Sequence, residues 1–132
     1  MNMISRDERK GQKGIKKFIN SFKYPISGIR YDYRNEQNLA FDIGIALLVI
    51  ICGFLFKLSG SEWATIMLTI GLVISCELTN TAIEAVVDLV TEEKKPMAKV
   101  AKDCASGAVG IISIIALILG IMIFLPKIIA LF

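Results

Sequence analysis

Histidine is absent from the chain, which removes imidazole acid–base chemistry and the commonest side-chain metal ligand. Cysteine is scarce: Cys52, Cys76 and Cys104 follow no metal-type or redox-type spacing and read as small buried apolar residues. No G-x-x-x-x-G-K-[ST] or G-x-G-x-x-G run occurs, so neither a P-loop ATPase nor a protein kinase is supported. No cleavable targeting segment is expected. The first apolar block follows a long polar and basic stretch, and is itself too long for a signal-peptide core. Charge is also nearly missing from three long stretches, 39–58, 63–90 and 105–124.

Those stretches organise the rest. Apolar residues make up 55% of 132 residues and are gathered into blocks. Each block approaches or exceeds the ~20 residues that span a bilayer. A soluble chain this short could not bury three such helices. The expected fold is therefore an all-α membrane protein with three transmembrane helices, one membrane-embedded domain over 1–132. Ahead of the spans, Ile15, Phe18, Ile19 and Phe22 recur at helical spacing with Lys16, Lys17, Asn20 and Lys23 between them. That pattern predicts an amphipathic interfacial helix over 14–34, interrupted at Pro25 and Gly28 with a second short helical stretch from Ile29 to the first span, behind a flexible tail, 1–13.

Of fifteen Lys and Arg, nine precede residue 39 and four lie between the second and third blocks (Lys94, Lys95, Lys99, Lys102). The first loop holds only Lys57 and the far end only Lys127. Basic loops stay inside, so the N-terminus is expected in the cytoplasm and the C-terminus outside a multi-pass cell-membrane protein. Trp63 and Pro126 suit the outer boundary. The net charge of +3 then reflects topology and anionic lipid, not nucleic acid.

Acidic and amide groups nonetheless occur in or beside the spans: Asp42, Glu77, Asn80, Glu84 and Asp88. A charge at the bilayer centre costs about 2.5–3.5 kcal/mol on insertion scales, so such groups face protein or water and serve function. At about 100° per residue, Glu77, Asn80, Thr81, Glu84 and Asp88 share one arc of the second helix. Their like charges require a cation or a proton. Counting from Trp63 at 1.5 Å per residue, Glu77 lies ~21 Å inward and Glu84 ~31 Å, near the inner edge of the hydrocarbon. Carboxylates at an aqueous edge suit Mg²⁺, which keeps several waters, and Glu36 is a plausible second ligand. Lys102 and Asp103 follow at the same face, where a lysine can offset phosphate charge. Ser106 and Gly110 are small residues four apart, a spacing that favours helix packing.

The run Glu77-Leu78-Thr79-Asn80-Thr81-Ala82-Ile83-Glu84-Ala85-Val86-Val87-Asp88 closely resembles the signature of the prokaryotic diacylglycerol kinase and undecaprenol kinase family. Ala101-Lys102-Asp103 with Ser106-Gly107-Ala108-Val109 resembles its second block, and Gly28-Ile29-Arg30 with Asn35-Glu36 a third. The resemblance implies a homotrimer that moves the γ-phosphate of MgATP to a membrane lipid alcohol. It implies Glu77 as general base, Glu36 and Glu84 as metal ligands, and Asn80 as support. Asp88 and Ser106 join that supporting set. Lys17, Tyr24, Glu93, Lys94, Lys95, Lys102 and Asp103 are implied as nucleotide contacts, together with Glu36 and Glu84. Two positions depart from the pattern. Lys17 stands where some members carry Arg and lacks its bidentate fork, and Asp42 stands where members carry His or Glu. The acceptor expected is undecaprenol over diacylglycerol. The competing reading is a small oligomeric proton or cation transporter or channel, and the nearly uncharged outer halves of the spans disfavour it.

Overall fold

The computed structural model describes residues 14–132, so the expected tail, 1–13, lies outside the described residues. Four helices follow one another: α1 (Ile15–Asn35), α2 (Gln37–Leu55), α3 (Gly60–Val90) and α4 (Pro96–Ile129). α2, α3 and α4 are each long and apolar enough to cross a membrane. α3 packs chiefly along α4, α2 leans on α3, and α1 touches both α2 and α3.

α1 departs from expectation by running unbroken through Pro25 and Gly28. Proline removes one backbone donor and crowds the carbonyl one turn back, a penalty of about 3 kcal/mol. The intact turns on either side hold the helix across it. One consequence is that Asp32, Glu36 and Leu39 follow each other along a nearly continuous path. The break falls at Glu36, whose φ of −113° and ψ of 122° separate α1 from α2. The α2–α3 connection is a tight turn in which Lys57 adopts a left-handed φ of 51°. Ser59 then opens α3 through a reciprocal cap. Its Oγ accepts the Glu62 N–H at 3.3 Å, and the Glu62 carboxylate accepts the Ser59 N–H at 2.7 Å.

α4 begins well before its apolar run, with Pro96 at its first turn, where a missing N–H is harmless. Lys102 and Asp103 therefore sit about two turns inside the helix. α3 has 31 residues, about 46 Å at 1.5 Å per residue. That exceeds a hydrocarbon core of about 30 Å, so one end must emerge.

Little of the molecule is interior. Leu39, Leu58, Ile66 and Ala105 are the buried apolar side chains, and the most apolar stretch of α4 holds half-buried and exposed residues with none fully buried. Such surface has no place in water and needs lipid or a partner helix. Cys52 and Cys76 are half-buried as small core residues, but Cys104 is exposed on the outward side of α4, contrary to expectation.

Candidate functional site

Buried polar side chains are costly unless satisfied, and here they gather in one place. Asp32 (1% exposed) on α1 and Glu77 (6% exposed) on α3 are the buried acids among the described residues. The carboxylates of Asp42, Asp32, Glu36 and Glu84 act electrostatically on Glu77, Asp42 most strongly. Three helices and the α1–α2 joint therefore deliver five carboxylates to one neighbourhood. No described Lys or Arg forms an ion pair with any of them.

The stripe expected on α3 is present, and hydrogen bonds tie Asn80 to Glu84 and Thr81 to α1. Asn80 Nδ2 donates to Glu84 Oε1 at 3.2 Å, while Asn80 Oδ1 is buried without a partner. Thr81 Oγ1 donates to Asp32 Oδ1 at 2.9 Å, while Asp32 Oδ2 is buried without a partner. Glu84 and Glu36 are half-buried, and the Glu36 side chain caps no helix.

Among the described residues no three acids cluster tightly enough to hold a metal ion alone. The hard oxygen donors of Glu36 and Glu84, without cationic partners, are the right chemistry for Mg²⁺.

A cavity of about 670 Å³ opens beside the stripe at the α3–α4 loop, lined by Glu93, Lys94, Lys95, Lys99, Lys102 and Asp103 among others. The expected nucleotide contacts at this end are thus brought together. Within it Lys102 pairs with Asp88 at 2.6 Å and Lys99 with Asp103. Glu84 also acts on Lys102, which connects the cavity to the stripe. Lys17 and Tyr24 line neither this cavity nor the next one, and lie on an exposed stretch of α1. The Ser106 hydroxyl donates to the Lys102 carbonyl at 3.1 Å, a local helix contact.

A second cavity, a groove of about 480 Å³, runs between α2, α3 and α4. Its walls are apolar from Ile66 and Phe124 to Val49, and Asp42 is the only charged residue lining it among the described residues. The groove therefore leads along oily surface to one of the acids that act on Glu77.

Asp32 was not among the expected site residues. The sequence places Asp32 on a helical stretch from Ile29 to the first span, but its burial goes with a contact to Thr81, 49 residues away.

The sequence profile described as prokaryotic diacylglycerol kinase matches residues 23–124. The undecaprenol kinase of Bacillus subtilis (strain 168) is 46% identical over 125 residues, covering 95% of this chain and 99% of that protein. A diacylglycerol kinase of a Synechocystis strain is 38% identical over 84% of this chain and 64% of its own length. The diacylglycerol kinase of Pseudomonas aeruginosa is 35% identical over 75% of this chain and 80% of its own. With its three apolar helices and the acidic stripe on the second of them, the chain belongs to the prokaryotic diacylglycerol kinase family.

Proposed function

We propose that this lipid kinase transfers the γ-phosphate of ATP to the hydroxyl of a membrane lipid alcohol, undecaprenol in preference to diacylglycerol. The observation that carries the reading is the buried Glu77, met by four further carboxylates and no cation, between a lysine-lined cavity and an apolar groove. Nucleotide enters from the polar side and the lipid from the oily side. In that arrangement Glu77 accepts the proton of the lipid hydroxyl as the oxygen attacks phosphorus. Phosphoryl transfer asks little of a protein beyond positioning and charge. Glu36 and Glu84 would hold Mg²⁺, which when bound to the nucleotide offsets negative charge on the phosphates. Asn80 orients Glu84 through their hydrogen bond. Lys102 is aligned by Asp88 to meet phosphate, with Asp103, Glu93, Lys94 and Lys95 around the nucleotide and Lys17 and Tyr24 approaching from α1.

The preference for undecaprenol rests on the Bacillus subtilis relative, similar along nearly its whole length. α1 lies in the cytoplasmic interface with its Ile15, Phe18, Ile19 and Phe22 face in lipid, all four exposed within the chain. The basic N-terminal region and the α3–α4 loop face the cytoplasm and the C-terminus faces outward. A homotrimer would cover part of the bare apolar surface of α4, where Ser106 and Gly110 allow close approach.

The test is transfer of radiolabel from ATP into the organic phase, with the two lipids compared in the same micelles. Label in lipid, dependent on Mg²⁺ and faster with undecaprenol, supports the reading. A preparation that is folded and never labels either lipid overturns it.

A further inference from the structure

Asp32 combines features that a surface acid on an amphipathic helix should not have. It is 1% exposed, one oxygen takes the Thr81 hydroxyl at 2.9 Å, and the other is buried without a donor. A buried carboxylate oxygen with no donor is destabilising. If the only need were to join two helices, apolar packing would do so without that penalty. The location supplies the reason. Asp32 stands one helical turn before Glu36, and the Glu36 N–H closes that turn on the Asp32 carbonyl at 2.7 Å. Thr81 stands between Asn80 and Glu84 on the stripe. The Asp32–Thr81 bond therefore ties the end of α1, with the Glu36 joint, to the middle of the acidic stripe.

We infer that Asp32 is a positioning residue: its hydrogen bond to Thr81 sets the register of α1 and Glu36 against Glu77 and Glu84. It touches no substrate and acts through Glu36 and the nucleotide-facing part of α1. This rests on the proposed function only for what α1 positions; the contact itself is independent of it. A hydrogen bond needs an oxygen acceptor at 32 and a hydroxyl at 81. Asp32→Asn keeps the acceptor and Thr81→Ser keeps the hydroxyl, whereas Asp32→Ala and Thr81→Val each delete the bond.

Two measurements test it on the full chain in micelles. In steady-state kinetics, Asp32→Ala and Thr81→Val should raise KM for MgATP about tenfold, the scale of one hydrogen bond to a charged group, with kcat changed much less. The double variant should be no worse than either single one, because both remove the same bond. Thr81→Ser should stay close to the unsubstituted protein in KM, and Asp32→Asn, which keeps the acceptor but removes a charge near Glu77, should keep the exchange pattern. Amide hydrogen exchange needs no activity. It should speed up across 15–35 in Thr81→Val and Asp32→Ala, while α3 and α4 keep their protection. Additive effects, unchanged KM in Asp32→Ala, or faster exchange spread evenly over all helices would overturn the inference. Failure of the unsubstituted protein to phosphorylate lipid would instead strike the proposed function, and the exchange pattern would still decide the register.

Discussion

Toward the Gly60 end of α3, Glu62 both caps its own helix through Ser59 and meets Lys127 of α4 at 3.0 Å. Toward the Val90 end, Glu77 and Glu84 have no cationic partner among the described residues, and Asn80 and Asp32 each keep a buried atom without a hydrogen bond. Both ends carry charge on a helix that is otherwise oily. At the first end the charges neutralise one another and close the fold. At the second Asp88 meets Lys102, but Glu77 and Glu84 are held without a cation, which is destabilising and persists only where another requirement imposes it. The difference separates structural polar groups from functional ones without reference to residue type, since glutamate appears at both ends.

Substitutions can break or sharpen this contrast. The largest effect should come from Glu77→Gln, which keeps the shape and removes the proton acceptor. Turnover of lipid should fall on the order of 10²–10⁴-fold, the usual contribution of a general base, with folded yield unchanged. Glu84→Ala comes next. Titration of Mg²⁺ should show a requirement raised by at least about tenfold, since loss of a carboxylate weakens a site that has few protein ligands. An unshifted Mg²⁺ curve would remove Glu84 from the metal site.

At the other end the expected effects fall on stability. Gly53 lies under Trp63: a Cβ there would stand 2.7 Å from the indole, itself held against Phe54 with ring centroids 4.8 Å apart. Gly53→Ala should destabilise by about 1–3 kcal/mol through overpacking, seen as a lower Tm, with KM and kcat of the remaining folded protein unaltered. Ser59→Ala, which deletes the cap, should cost about 1 kcal/mol, again with no kinetic change. If either variant altered the kinetics, the division between the two ends would not stand.

The acidic stripe was readable directly, because helical geometry converts the spacing of Glu77, Asn80, Thr81, Glu84 and Asp88 into a shared face whatever surrounds it. The three candidate spans were readable for a similar reason, as the length of an apolar run is a property of the chain. The start of α4 was less visible. Lys95 to Asp103 mixes four charged residues with short apolar ones, and the helix opens there at Pro96, ahead of the apolar run. Asp32 was out of reach for another reason. Its burial depends on the packing of α1 on α3 and on contact with Thr81, 49 residues away.

By itself, the sequence determined which segments are oily enough to leave water and which of their residues contradict that oiliness. Both follow from local composition and the fixed rise and turn of a helix. Only the tertiary structure decided which acids meet and which are neutralised. It is the docking of α1, α2 and α4 on α3 that brings Asp32, Glu36 and Asp42 toward Glu77 while pairing Lys102 with Asp88 and Lys127 with Glu62. Electrostatic partnership depends on distance through space, which the order of residues along the chain does not contain.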